Sequence, residues 1–334
     1  NPEEKEFSIV VGDSAPIANH SKSLLDYTTV LSLYQGCANL AAENAGAPFN
    51  FLAWFPNLRP LGEARCESLA ELGLIDGTTV EEQAASAQQI INEAAIQTEQ
   101  NFVQPSHYWA FVPQAIALTY ANSYSRSGVE ENLCGYSMGA TTGNLLFADP
   151  ADNTAGWPTP LADASLASIF GTGNGVPPTG GVNLINNLSA DGQGPREIRL
   201  STNSSTGRQD MYLDGDLCLR ALAIGKDPVT GKKLKGEMKE KYEAIMNGIN
   251  AIRATGKVDA PTVYVAGRND AILPVNHTAR AYFGLINLKG KAANVRYYEV
   301  LNAQHLDSFN AFAGFDSTLI SLHYYYTEAL DLMW

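Results

Sequence analysis

The sequence predicts an α/β fold of uneven build, with a large helical and loop-rich region over residues 1–258 and a short parallel sheet with its helices over 259–334. Three observations predict it. "APTVYVAG" (260–267) and "NVRYYEVL" (294–301) are compact apolar runs rich in β-branched and aromatic residues, as buried parallel strands are. Helical patterns separate and follow them, and strand–helix–strand–helix is how a parallel sheet is written. The residues ahead hold long helical patterns and a Gly/Pro-rich stretch, with one confident short strand, "FSIVV" (7–11).

Taken in order, "KSLLDYTTVLSLYQGCANLAAE" reads as a helix, and "GEARCESLAELG" as another that stops at Gly73. "TVEEQAASAQQIINEAAIQ" opens on a capping box of Thr79 and Glu82. "HYWAFVPQAIALTYANSYSR" reads as one aromatic-rich helix with Pro113 near its start. Residues 149–215 are dense in Gly, Pro, Asn and Asp and read as loops and turns. In "LKGEMKEKYEAIMNGINAIRATG", Leu234, Met238, Tyr242, Ile245, Ile249 and Ile252 recur every three or four residues, marking one apolar helix face. "TARAYFGLINL" and "DSTLISLHYYYTEALDLMW" supply the two helices of the tail.

Composition narrows the function. Apolar residues are 45% and charged residues 17% of 334, the balance of a folded chain. The net charge of −13 repels phosphate backbones and anionic lipids, which argues against nucleic acid and membrane surfaces as partners. No apolar run reaches the roughly 18–20 residues that span a bilayer. The chain opens on "NPEEKEF" without an initiator Met or signal peptide, as a mature, trimmed or partial chain does. Cys37, Cys66, Cys134 and Cys218 are isolated, with no CxxC and no neighbouring His at zinc spacing. An even count suits two disulfides and an oxidising compartment; four buried thiols are the alternative.

Chemistry concentrates at the strand ends of the tail. "GRNDAILPVNH" puts Asp270 just beyond the first strand, and "NAQHLDSF" puts His305 just beyond the second. Adjacent parallel strands deliver both loops to one sheet edge, where open α/β folds bind ligands. Acid before base along the chain is the α/β-hydrolase order. A serine hydroxyl becomes a competent nucleophile only when an imidazole takes its proton, and a carboxylate orients that imidazole. The ordinary alternatives are a turn-capping aspartate and a loop histidine. His277, seven residues after Asp270, competes for the role of base; His20, His107 and His323 read as structural.

The nucleophile is harder to place. Gly135-Tyr136-Ser137-Met138-Gly139 matches G-x-S-x-G, the strand–turn–helix elbow of α/β-hydrolases. Yet "RSGVEENLC" in front of it is a poor buried strand, so a small-residue turn beside Cys134 explains the match as well. "GTGNG" lacks the Lys-Ser/Thr of a phosphate loop, and "DMYLDGD" (210–216) lacks EF-hand spacing and reads as a capped turn more readily than a Ca²⁺ site.

Together "HSKSLLDYTTVLSLYQGCANLA", "TGNGVPPTGG", "STGRQDMYLDGDLCLRAL", "GRNDAILPVNHTARAYFGL" and "YYEVLNAQHLDSFNAF" resemble the D-(−)-3-hydroxybutyrate oligomer hydrolases, from about residue 8 to the end. The resemblance implies a secreted or periplasmic serine esterase that cuts short 3-hydroxybutyrate oligomers, a small ester substrate, and no cofactor or metal. It implies chains about twice as long, with the nucleophile in a Ser-Asn-Gly-Gly elbow upstream of this sequence. Residues 1–258 would then be a lid inserted in an α/β-hydrolase core whose C-terminal strands alone lie here, and the preceding N-terminal half, joined or cleaved, would be the partner. Asp270 and His305 carry over as acid and base; Ser137 gains no role and stays the fallback nucleophile. Tannases and feruloyl esterases are similar in plan but place a Cys beside the catalytic His, where this chain has Gln304. Tyr27, Tyr34, Tyr108, Trp109, Tyr120, Tyr124 and the loop 171–181 are candidates for lining a cleft, or are simply helix-core aromatics. The rivals are a self-contained esterase using Ser137, and a non-catalytic module that binds polyester or a partner.

Overall fold

The computed structural model describes residues 21–128, 131–141, 149–151, 154–159 and 183–333. "FSIVV", His20 and the loop 171–181 lie outside them.

The helical body is organised around α1 (Leu24–Ala38), which is buried on nearly all sides. Ser23 caps its start, its hydroxyl accepting from Leu25 N–H. Burial of Thr28, Thr29 and Ser32 is tolerated because each hydroxyl donates to the carbonyl four residues back, at 2.6, 2.8 and 2.7 Å. Packed on α1, or on the helices that flank it, are α2 (Phe51–Trp54), α3 (Arg59–Glu71), α4 (Val80–Glu93), α5 (Thr98–Asn101), α6 (Gln104–Trp109) and α7 (Val112–Ser125), with α3, α4, α6 and α7 against α1 itself. The Thr79–Glu82 capping box opens α4 as expected, and Gly73 takes the left-handed conformation (φ 67°) just past α3.

The single helix expected over 107–126 is two. Phe111 takes φ 54° between α6 and α7, and Pro113, with no N–H to give, sits in the first turn of α7. A second correction concerns residues 131–197. Where the pattern suggested loops and a small-residue turn, β1 (Tyr136–Thr141), β2 (Pro158–Thr159), β3 (Asn183–Asn186) and β4 (Arg196–Glu197) form an antiparallel sheet of order β2-β1-β3-β4. These strands are two to six residues long, and Ser137, Gly139, Pro158, Asn183, Asn186, Arg196 and Glu197 interrupt their few β formers, so they carry little β signal.

Next come α8 (Leu213–Ile224) and α9 (Gly236–Ala251). The predicted face of α9 packs against Leu118, Tyr212 and Leu222, with Ile245 fully buried; Ile252, the last residue of the pattern, is past the helix end and 72% exposed. Two disulfides, Cys37–Cys66 and Cys134–Cys218, tie α1 to α3 and the start of β1 to α8. They suit an oxidising environment.

The strands and crossover helix of the C-terminal unit follow the reading of its sequence, while the closing helix begins at Leu322 and not at Asp316. β5 (Thr262–Gly267) and β6 (Val295–Val300) pair in parallel, with α10 (Ala279–Leu288) as crossover and α11 (Leu322–Met333) closing the chain. Phe283 and Ile286 of α10 pack on Val295, Tyr297, Tyr264 and Ala266. A small cluster of Val103, Ala271, Phe315 and Leu319, flanked by Phe49, Phe102 and Phe309, joins this unit to the helical body. No helix among the described residues is long and apolar enough to cross a membrane.

Candidate active site

Parallel pairing of β5 with β6 ends at Gly267 and Val300, and the chain leaves both strands on the same side. The two exit loops are then bound backbone to backbone: Arg268 N–H donates to Val300 O and Asn269 N–H to Ala303 O, both at 2.9 Å. Gly267 permits this approach, because a Cβ there would lie 2.4 Å from the Ala303 carbonyl oxygen. Asp270 and His305 are thereby brought together, His305 Nδ1 lying 2.9 Å from Asp270 Oδ2.

Asp270 is buried and holds two jobs. Its Oδ1 accepts from Ile272 N–H at 3.0 Å and Leu273 N–H at 2.7 Å, the turn-capping role, while Oδ2 faces the imidazole. A carboxylate partner requires the proton on Nδ1, which leaves Nε2 free to accept one. His305 is 33% exposed at its side chain, so that edge is reachable. The Asp270 hydrogen bond holds the His305 imidazole above its ordinary 6.5, against the opposing effect of partial burial.

The other histidines are placed differently. His277 stacks on Tyr27 with ring centroids 5.0 Å apart, and its Nδ1 accepts from Ser21 N–H at 3.0 Å. His107 is buried in α6 with Nδ1 3.1 Å from Val103 O, and burial pushes it down to about 4, so it is neutral near pH 7. Asp270 raises it and His305 lowers it, so it lies within electrostatic range of both. Exposed His323 begins the last helix, where its N–H donates to Asp307.

Ser137 lies in the antiparallel strand β1, after a 3₁₀ turn, an inversion of the strand-then-helix order of an elbow. Its hydroxyl pairs with the Asn187 side chain. The structure therefore joins Asp270 to His305 and leaves Ser137 on another sheet. At "DMYLDGD", Asp210 Oδ1 accepts from Leu213 N–H and caps α8, while Asp216 pairs with Arg65.

Of the aromatics named from sequence, Tyr27, Tyr108 and Trp109 are core residues, and Tyr34, Tyr120 and Tyr124 are half-buried. Sequence reading missed what surrounds Asp270. Gln104 Nε2 donates to Ala271 O at 3.2 Å, Gln100 Nε2 to Arg268 O at 3.3 Å and Tyr27 Oη to Ile272 O at 2.7 Å. Two glutamines in helical patterns give no signal of such a role, since their partners are backbone atoms more than 160 residues away.

The profile of the 3HB-oligomer hydrolase family matches residues 1–334. The D-(−)-3-hydroxybutyrate oligomer hydrolase of Albidiferax ferrireducens is 39% identical over 99% of this chain and 43% of its own length. Those of Polaromonas naphthalenivorans and Cupriavidus necator are each 37% identical over 98% of this chain and 42% of theirs. The chain thus spans less than half the length of these relatives. No solved structure matches. By a match over its whole length, with its acid and base candidates meeting at adjacent strand ends, the chain belongs to the 3HB-oligomer hydrolase family.

Proposed function

We propose that this chain is the acid–base half and lid of a secreted or periplasmic serine esterase that hydrolyses 3-hydroxybutyrate dimers and oligomers to monomers. What carries this reading is the His305–Asp270 hydrogen bond at the ends of two adjacent parallel strands, in a chain whose relatives are named oligomer hydrolases. The nucleophilic serine belongs to the preceding polypeptide, since more than half the length of each relative lies outside the match. Residues 1–258 form the lid, and 259–334 complete the hydrolase core.

In the reaction, His305 Nε2 takes the serine proton as Oγ attacks the ester carbonyl, and Asp270 stabilises the imidazolium through Nδ1–H. Backbone N–H groups at the elbow hold the tetrahedral oxyanion. Nε2 then gives its proton to the departing alkoxide oxygen of one 3-hydroxybutyrate unit, which leaves as a free hydroxyl, and an acyl-serine remains. Water, deprotonated by the same Nε2, then attacks the acyl-serine, and the second unit leaves as its acid while Nε2 returns the proton to serine Oγ.

The test is to react the intact protein, preceding half included, with a fluorophosphonate probe and map the labelled peptide, alongside hydrolysis of the 3-hydroxybutyrate dimer. Label on an upstream serine, with dimer turnover lost on labelling, supports the reading. Label on the peptide holding Ser137 overturns the assignment of the nucleophile, and an unlabelled, inactive protein overturns the esterase.

A further inference from the structure

Asp270 Oδ1 is held by two peptide N–H groups, and each belongs to a peptide unit whose carbonyl is gripped from the helical body. Ile272 N–H shares its plane with Ala271 C=O, which accepts from Gln104 Nε2. Leu273 N–H shares its plane with Ile272 C=O, which accepts from Tyr27 Oη. In a rigid peptide plane, fixing the oxygen fixes the N–H that points the opposite way, and a donor on the oxygen polarises that N–H. Two relays therefore run from the helical body to one carboxylate oxygen: Gln104 through the 271–272 peptide, and Tyr27 through the 272–273 peptide.

Resting on the esterase reading above, we propose that Gln104 and Tyr27 are positioning residues for Asp270, so that the lid orients the acid as well as covering the site. Their surroundings are built for this. Gln104 is fully buried and Tyr27 nearly so, and each turns its donor onto one of the two carbonyls, Gln104 doing so although its own Oε1 has no hydrogen-bond partner among the described residues. Neighbouring contacts keep the same loop in place: Gln100 on Arg268 O, Asn269 Nδ2 on Glu99 O at 2.8 Å, and Asn276 Nδ2 on Ala95 O at 2.9 Å. With Oδ1 fixed twice, the carboxylate has little freedom to rotate, and Oδ2 stays aimed at His305 Nδ1. Without them, Asp270 keeps its place in the chain but loses its aim.

The experiment uses the full-length protein carrying Gln104→Leu or Tyr27→Phe, with Arg208→Ala, which breaks a surface pair with Glu71, as the control for general loosening. Tyr27→Phe removes one hydroxyl and keeps the ring, so it preserves a fold that Gln104→Leu could disturb. Two readouts are taken on folded variants: kcat and KM for the 3-hydroxybutyrate dimer across pH, and the titration of the His305 imidazole by NMR. Expected is a fall in kcat on the order of 10-fold to 100-fold with KM little changed, the acid limb and the imidazole titration both moving to lower pH. Unchanged titration and unchanged kcat in a folded Tyr27→Phe protein overturn the proposal. If the unaltered protein hydrolyses no ester, the esterase reading fails, and the imidazole titration still decides whether Gln104 and Tyr27 position Asp270.

Discussion

At the scale of single residues, Asp270 is fixed and oriented at once: one oxygen closes the turn and the other holds the His305 imidazole. The proposed base acts only when neutral, and Asp270 raises its pKa above 6.5, so kcat/KM is expected to rise with pH through a midpoint above 6.5. Asp270→Asn should lower kcat on the order of 10³–10⁴-fold and move that midpoint down, read from pH–rate profiles of the two proteins. An unshifted midpoint would mean that the limb reports another group. Stability runs the other way with pH: the charged pair stabilises the fold at pH below the unfolded value of His305, and this is lost as pH rises through the higher folded value. Gly267 is equally exacting. A methyl there meets the Ala303 carbonyl, so Gly267→Ala should force the two loops apart and destabilise by about 1–3 kcal/mol, measured by denaturant unfolding. These roles were half legible. Asp270 and His305 stood out because strand-end acid and base obey a known order, whereas Gln104 and Tyr27 act on distant backbone that no local pattern encodes.

Among the elements, the helical body is held by features that differ in visibility. The α4 capping box and the α9 apolar face were readable because they are local and periodic. The break at Phe111 and the antiparallel sheet were not, since one depends on how α6 and α7 dock and the other on short strands of poor β formers. The buried Arg65–Asp216 pair, 3.0 Å apart between α3 and α8, was likewise invisible. Burial pushes the Asp216 carboxyl up to about 7, Arg65 opposes this, and Tyr136 Oη donates to it at 2.8 Å. Asp216→Ala leaves a guanidinium buried without its anion and should cost about 3–5 kcal/mol in unfolding free energy, whereas a paired replacement of both residues by apolar ones should cost less. The disulfides act on the unfolded chain. With separations of 29 and 84 residues, chain entropy assigns them about 3.6 and about 4.6 kcal/mol, so Cys134→Ala/Cys218→Ala should lower the unfolding midpoint more than Cys37→Ala/Cys66→Ala.

For the molecule as a whole, the C-terminal unit has two features that bear on the proposed core shared with a preceding polypeptide. Among the described residues β5 pairs only with β6, so its other edge has no neighbouring strand, and its residues up to Ala266 are no more than half-buried. α11, which packs on β5, leaves Tyr324 60%, Leu330 47%, Leu332 75% and Met333 51% exposed, although a closing helix of an α/β fold ordinarily buries such a stripe. Both features are what a sheet completed by the preceding polypeptide would leave on this half: an open edge for the next strand and an apolar helix face for its neighbours. Leu332 separates the possibilities. If α11 is covered in the full-length protein, Leu332→Asp should destabilise it by roughly 2–3 kcal/mol, the burial worth of a leucine side chain. The same change in the isolated chain 1–334 should leave unfolding nearly unaffected, because the residue is already in water. Parallel denaturant titrations of the two forms give the answer: equal and small effects would leave α11 a solvent-facing helix, whereas a loss confined to the longer protein would place the missing half of the core against it.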